Sequence, residues 1–137
     1  MSFQMYVPTR ILFGAGQLSS LHSQVLPGKK AMVVISNGKS TRENGSLAKT
    51  QEQLKLAGVE TVVFDKIMAN PLKSTVMQGA ACARENGCDF LVALGGGSVM
   101  DASKAIAAMV TNDGDLWDYV SGGTGKGKAL VHEPLPI

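Results

Sequence analysis

The chain has 137 residues, of which 45% are hydrophobic and 18% charged, so length and composition predict one globular domain and exclude a disordered segment. A formal net charge of +2 and an aromatic content of 5% exclude the basic, base-stacking surface typical of nucleic-acid binding. No apolar run approaches the roughly 20 residues that span a bilayer, and no signal peptide is recognisable, so we expect a cytoplasmic protein that binds no membrane.

The chain then alternates between strand and helix patterns. In chain order the predicted elements are a strand at 6–13, a helix at 17–25, a strand at 31–36, a helix at 46–56, a strand at 61–64, a helix at 73–85, a strand at 90–94, a helix at 99–110 and a short helix at 116–120. The last residues, 134–137, resemble the approach to another strand. Because the inner strands are continuously apolar, they predict an α/β fold: a Rossmann-like parallel sheet with helices on both faces.

Polar residues and glycines predict where the helices begin and end. Ser46 is expected to cap one helix, and Ser74 or Thr75 to cap the next. Gly58 and Gly87 follow the last turns of these two helices, where a residue of positive φ is favoured. The strand at 61–64 is expected to end at the carboxylate of Asp65. The two cysteines, at 82 and 88, show no metal-binding pattern and are expected to be reduced core residues.

Three glycines stand between the predicted strand at 90–94 and the helix that follows it. Gly95, Gly96 and Gly97 lack a Cβ, which lets a ligand approach the backbone closely. The next helix begins with unpaired N–H groups and a positive dipole end, and Ser98 can cap that helix or donate to a phosphate. The loop therefore predicts a pyrophosphate site. The alternative is a tight structural turn, as in a flavodoxin-like domain. The G-x-G-x-x-G fingerprint is absent, so the usual Rossmann rule for ribose recognition does not apply directly.

Beyond this local pattern, the chain resembles the iron-dependent alcohol dehydrogenases. The segment GGGSVMDASKAIA, at 95–107, is similar to the signature of that family. Further segments match in order: PTRILFGAGQL, VVFDKIMANP, CDFLVALGGGS and NDGDLWDYV. Glycerol dehydrogenases and dehydroquinate synthases share a glycine triplet, but Ser98 and the Leu-Trp-Asp-Tyr segment at 116–119 look more like the alcohol dehydrogenase branch.

The resemblance implies a set of residues that contact a nicotinamide cofactor. These are the glycine loop, the helix start and an asparagine before a proline: Asn70, Gly95, Gly96, Gly97, Ser98, Val99 and Met100. Asp101 belongs to the same motif and is expected on the nicotinamide side of the site. Alternatives stay open for two residues: Asn70 also fits an ordinary Asn-Pro turn, and Lys104 fits a structural ion pair or a solvated charge.

The loop after the first buried strand bears on the choice between NAD and NADP. The resemblance implies that NAD-preferring members place a carboxylate there, which binds the ribose hydroxyls and repels a 2′-phosphate. Here that loop has no Asp or Glu. Asn37, Gly38, Lys39 and Ser40 are expected to line the cofactor, with Arg42 nearby, and to favour NADP over NAD. The alternative is that both cations simply face solvent.

The family also implies iron or another divalent metal, held by an Asp and several His in an all-helical C-terminal domain. Residues 1–137 are accordingly expected to be the NAD(P)-binding N-terminal domain only, without that metal and without dehydrogenase activity alone. His22 and His132 match no metal position. The implied whole enzyme interconverts a small alcohol and an aldehyde by hydride transfer with NAD(P). The alternative is a free-standing, non-catalytic nucleotide-binding module.

The surface that would face such a domain is expected to be unusually apolar. Val131, Leu135 and Ile137 are candidates for this surface. The opening strand, if it lies at a sheet edge, could also pair with another copy of the chain. The chain is therefore expected either to self-associate into a homo-oligomer or to be only marginally stable.

Overall fold

A computed structural model describes residues 2–137 and shows a parallel three-stranded sheet. The strands are β1 (Lys30–Ser36), β2 (Glu60–Ile67) and β3 (Phe90–Ala93), in the order β2-β1-β3. A 3-10 helix (Gln17–Ser23) precedes the sheet, and the α-helices are α1 (Ser40–Glu43), α2 (Ser46–Leu56), α3 (Lys73–Glu85), α4 (Gly97–Thr111) and α5 (Leu116–Tyr119). The predicted α/β architecture is confirmed. None of the helices within 2–137 is long and apolar enough to cross a membrane.

The central strand β1 divides the core into two parts. Met32 and Val34 point to the side covered by α3 and α4, whereas Ala31, Val33 and Ile35 point to the side covered by α2. All five side chains are fully buried, and each large one contributes about 1.5–3 kcal/mol to folding. This explains why β1 is continuously apolar rather than alternating, and it confirms helices on both faces of the sheet.

Helices α3 and α4 pack closely because of a glycine in α3. A Cβ placed on Gly79 would lie 2.6 Å from Cδ1 of Ile106 and 3.2 Å from Cε1 of Phe64. Beside these helices, Cys88 is buried and Cys82 is half-buried, and both are free thiols, as expected. Burial raises the pKa of the Cys88 thiol, with a further contribution from the neighbouring Cys82, so Cys88 acts as a core residue.

The strand predicted over 6–13 is wrong. This segment forms no strand, and its side chains are exposed, with Tyr6 at 83% and Phe13 at 95% exposed. Its apolar pattern suits a strand, but a strand also needs a partner for its N–H and C=O groups. None of the three strands described lies beside it.

The predicted helix caps are also wrong, although the helices are present. Ser46 is the first residue of α2 rather than its cap, and its N–H donates to Oδ1 of Asn44 at 2.9 Å. Ser74 and Thr75 lie within α3, whose cap position is Leu72, with no side-chain hydrogen bond. Backbone turns before the helices, rather than hydroxyl groups, therefore set where they begin.

The glycine predictions for helix ends are confirmed, whereas the predicted end of β2 is not. Gly58 and Gly87 follow α2 and α3 with φ of 74° and 62°. Strand β2 continues past Asp65 to Ile67. Its pairing with β1 is irregular at this point, which lets the strand include the carboxylate residue. Helix α4 begins two residues earlier than predicted, at Gly97.

The C-terminal segment is attached to the end of α4 by the Asn112 side chain and to β3 by a backbone hydrogen bond. Oδ1 of the buried Asn112 accepts from the amides of Val131 and His132 at 2.8 and 2.9 Å, and its Nδ2 donates to the His132 carbonyl at 2.9 Å. The Leu91 amide of β3 donates to the carbonyl of Pro136 at 2.9 Å. No strand forms over 134–137, but the segment does lie beside β3.

Candidate functional site

A cleft of about 250 Å³ opens where β1 and β2 end and α4 begins. Its lining comes from the strand ends, the following turn and the start of the helix: Ser36, Ile67, Met68, Ala69, Gly96, Gly97, Ser98 and Val99. The cleft lies beyond the carboxyl ends of parallel strands, which is where open α/β sheets bind their ligands.

The three glycines of the loop differ in what surrounds them. A Cβ on Gly95 would lie 2.7 Å from Cγ2 of Val99, so this glycine is required by packing within the protein. A Cβ on Gly96 or Gly97 would meet no atom within 4 Å. Neither has the positive φ that favours glycine. Protein packing therefore explains Gly95 but neither of the other two, which face open space in the cleft.

The start of α4 leaves amide groups available at the cleft. Gly96 is its cap residue and supplies no side-chain hydrogen bond, while its carbonyl accepts from Val99 and Met100 at 3.0 and 3.1 Å. Within residues 2–137 no acceptor contacts the amides of Gly97 and Ser98. Because α4 is 15 residues long, its dipole adds a partial positive charge at this end. Together these groups favour an anion.

The residues after the loop take different positions. Ser98 is half-buried in the cleft wall, and the side chain of Val99, 3% exposed, closes the cleft from the core side. Met100 faces a different cleft, of about 530 Å³, beside β3 and the C-terminal segment. Asp101 is exposed and pairs with Lys104 at 3.2 Å, which matches the ion-pair alternative for that lysine. The structure thus brings Ser98 and Val99 to the cleft, but not Met100.

Asn70 lies next to the cleft wall in an unusual backbone conformation. It has φ of 54°, which makes it the single residue other than glycine with positive φ within 2–137. Asparagine tolerates this left-handed region better than most residues do. It directly follows Met68 and Ala69 of the lining, and it precedes Pro71. The turn therefore holds the Asn70 side chain, which is exposed, close to the cleft.

The loop after β1 is attached to the end of β2. The amide of Asn37 donates to the carbonyl of Ile67 at 2.8 Å, and residues 37–40 are exposed. Lys39 is the cap residue of α1 and makes no ion pair within the described chain. Arg42 does make one: its Nη2 lies 2.6 Å from Oδ2 of Asp65.

Asp65 is a charged residue at this site that the sequence reasoning did not include. The family resemblance points only to the loop after β1 for a carboxylate, whereas Asp65 belongs to β2 and is 23 residues beyond Arg42. The available signal was its position after an apolar strand, because parallel neighbouring strands end at the same edge of a sheet. A carboxylate from β2 therefore lies beside the loop after β1, in contact with Arg42.

The described residues do not fit a metal ion. Within 2–137 no group of three or more His, Cys, Asp or Glu side chains is placed to hold one. His22 bonds through Nδ1 to Oε1 of Gln53 at 2.6 Å, and His132 is exposed. We therefore assign none of residues 2–137 to a metal.

Comparison with known proteins identifies the family. Residues 8–137 match the model for iron-containing alcohol dehydrogenase. The probable NADH-dependent butanol dehydrogenase 2 of Bacillus subtilis is 39% identical over 136 residues, which cover 99% of this chain and 34% of the relative. The NADPH-dependent aldehyde reductase YqhD of Escherichia coli is 37% identical over 107 residues, which cover 78% of this chain and 27% of the relative.

A solved structure agrees with these sequence matches. The archaeal halo-thermophilic Red Sea brine pool alcohol dehydrogenase ADH/D1 superimposes with a TM-score of 0.89 at 36% identity, over 99% of this chain and 35% of that one. The chain spans about a third of the length of the curated relatives it matches. The family match covers nearly all of this chain and agrees with the glycine loop at its cleft, so the chain belongs to the iron-containing alcohol dehydrogenase family.

Proposed function

We propose that residues 1–137 form the domain that binds a nicotinamide dinucleotide in an oxidoreductase acting on a small alcohol or aldehyde. The observation that carries this proposal is the open space over Gly96 and Gly97, next to the unpaired amides of Gly97 and Ser98. Family membership supports the reaction class, since the relatives are named as alcohol dehydrogenases and aldehyde reductases. A bound nicotinamide would supply the hydride acceptor or donor.

The chain's own residues would bind and orient that cofactor. The pyrophosphate would sit over Gly96 and Gly97 and accept from the amides of Gly97 and Ser98, and each such charge-assisted bond is worth about 1.5–3 kcal/mol. The Ser98 hydroxyl would add a further donor. Asn70 would contact the cofactor from the opposite wall, and Asp101 would lie on the nicotinamide side.

We further propose that the cofactor is NADP rather than NAD. The loop of Asn37, Gly38, Lys39 and Ser40 has no carboxylate, and Lys39 offers a positive charge without an acidic partner in the described chain. A 2′-phosphate would be attracted to that charge. Relatives named for NADH and for NADPH both occur, so this loop is where the preference would be decided.

Two further parts of the proposal concern the activity of this chain by itself and the contacts made by its exposed apolar surface. With no metal-binding group among the described residues, this chain by itself would have no dehydrogenase activity. Large apolar side chains are exposed near both ends of the chain: Phe3, Tyr6, Phe13, Val131 and Ile137. Such a surface supports self-association, or contact with a further domain.

A titration that combines wild type and glycine variants tests the proposal. At about 100 times its Kd, a dinucleotide should stabilise the chain by about 2.7 kcal/mol, or about 3–5 °C in Tm. Gly96→Ala and Gly97→Ala should fold normally but lose most of this shift, because each new Cβ occupies the space of the pyrophosphate. Gly122→Ala is the matched control, since its Cβ also meets nothing within 4 Å. Equal shifts in all four proteins, or none in wild type, would contradict the proposal.

A further inference from the structure

An ion pair between α1 and β2 stands beside the loop that we assign to cofactor choice. Arg42 belongs to α1, three residues beyond Lys39, and its Nη2 contacts Oδ2 of Asp65 at 2.6 Å. Each of the two side chains is 48% exposed. The pair is thus accessible to a ligand and is not part of the core.

The pairing irregularity between β1 and β2 places the carboxylate there. Val34 pairs with Phe64, but Ser36 pairs with Ile67, so β2 has one more residue than β1 in this interval. Asp65 and Lys66 both lie in this interval, where β1 has only Ile35, and of the two it is Asp65 that contacts Arg42. A carboxylate therefore reaches the end of β1 from the neighbouring strand, although the loop after β1 contains none.

The ion pair changes the charge that a 2′-phosphate would meet. The sequence of the loop offers two cations, Lys39 and Arg42, but the structure neutralises one of them with Asp65. Guanidinium is the side chain best suited to bind phosphate, and here one of its nitrogens is already bonded to a carboxylate. Glu43 and Lys66, the other charged residues nearby in sequence, form no ion pair within 2–137.

We propose that Asp65 is a specificity-determining residue that weakens the preference of this chain for NADPH. It holds Arg42 away from the 2′-phosphate, and its own negative charge repels that phosphate. NADH has no 2′-phosphate, so its binding is insensitive to both effects. This inference rests on the proposed function, because it needs a dinucleotide in the cleft.

Calorimetric titration of three ligands tests the role of Asp65. The ligands are NADPH, NADH and adenosine 2′,5′-bisphosphate, a probe that carries the 2′-phosphate and a 5′-phosphate but no nicotinamide. In Asp65→Asn, NADPH and the bisphosphate should bind about two- to fivefold more tightly, the range of an exposed ion pair, while the Kd of NADH stays constant. Adding Arg42→Ala to Asp65→Asn should remove the part of the gain that comes from the released guanidinium and leave the part that comes from the lost negative charge of Asp65.

A carboxylate at the other end of the same strand provides the control. Glu60 also pairs with a cation, Lys30, at 3.6 Å, but at the amino end of β2. Glu60→Gln should therefore leave all three affinities unchanged. An equal gain in Glu60→Gln, or an unchanged ratio of NADPH to NADH affinity in both Asp65→Asn and Asp65→Ser, would overturn the inference. Failure of wild type to bind either dinucleotide would overturn the proposed function, and this inference with it.

Discussion

A Cβ on Gly95 would lie within 2.7 Å of Val99, although the same addition at either following glycine would meet only open space. Three consecutive glycines therefore have two purposes. The first lets the loop pack against a core side chain, and the other two leave space free in the cleft because they have no side chain. A glycine triplet in a sequence does not reveal this division, because it depends on where the helix after the loop is packed.

Replacing Gly95 should reduce stability, whereas replacing Gly96 should not. Overpacking against a buried side chain typically costs about 1–3 kcal/mol, and Val99 is 3% exposed. We expect Gly95→Ala to lower the free energy of unfolding by that amount in urea denaturation. Gly96→Ala should stay within about 0.5 kcal/mol of wild type. Equal destabilisation of the two variants would contradict this assignment.

Replacing Lys39 should weaken NADPH binding selectively. Removing one exposed positive charge near a 2′-phosphate should raise the Kd of NADPH by up to about tenfold and leave that of NADH unchanged. Lys55→Ala is the matched control, an exposed lysine near the end of α2. The measurement is calorimetric titration at low and moderate salt. A parallel loss of NADH affinity would show that Lys39 does not read the 2′-phosphate.

The carboxylate of Asp89 should make stability depend on pH in the acid range. Its oxygens accept from the amides of Lys29 and Lys30 at 2.8 and 2.9 Å. Desolvation raises the pKa of Asp89, but these two hydrogen bonds outweigh it, so the pKa lies below its ordinary value. The stability that it adds is thus complete above about pH 4 and is lost as pH falls through the lowered pKa.

Thermal unfolding of Asp89→Asn across pH checks this dependence. At pH 7 the variant should be less stable by about 1 kcal/mol, the worth of the weakened hydrogen bonds. The difference from wild type should shrink as pH falls below 4, because wild-type Asp89 then becomes neutral as well. Asp113→Asn is the control, with no side-chain hydrogen bond to residues 2–137. A difference that persists at low pH would exclude ionisation as the cause.

Removing the Asn112 side chain should release the C-terminal segment. Asn112 is 2% exposed, and its amide group holds the backbone of Val131 and His132. Asn112→Ala should cost about 2–3 kcal/mol and accelerate hydrogen exchange of the amides at 131 and 132. Asn86→Ala removes a similar bond, to the Cys82 carbonyl, without contacting the segment. Exchange that is unchanged in Asn112→Ala would contradict this role.

Elements with a strong local pattern could be predicted from the sequence. The predicted bounds of α3, 73–85, agree with the structure because Gly87 ends the helix with a positive φ. Strand β1 was predicted because an apolar run of that length must be buried on both faces. The segment at 6–13 carries a strand pattern too, but whether a strand forms depends on a partner that is distant in sequence.

The candidate site could be predicted only in part, because some of its contacts join residues that are distant in sequence. The glycine loop and the start of α4 are contiguous in sequence, so their proximity could be predicted. Met100 belongs to the same motif, yet it faces another cleft, because successive helical residues point in directions about 100° apart. The contact between Arg42 and Asp65 joins two elements whose register is set by tertiary pairing.

Strand β1 supplies side chains to both halves of the core. This constrains the number of residues in the strand more strongly than it constrains which aliphatic residues they are. Met32 and Val34 fill one half, while Ala31, Val33 and Ile35 fill the other. One inserted or deleted residue would send every later side chain of the strand to the opposite face. Exchanges among aliphatic residues of similar volume, by contrast, keep apolar side chains on both faces of the strand. Natural variants of this strand should therefore differ in side-chain identity while keeping the same number of residues.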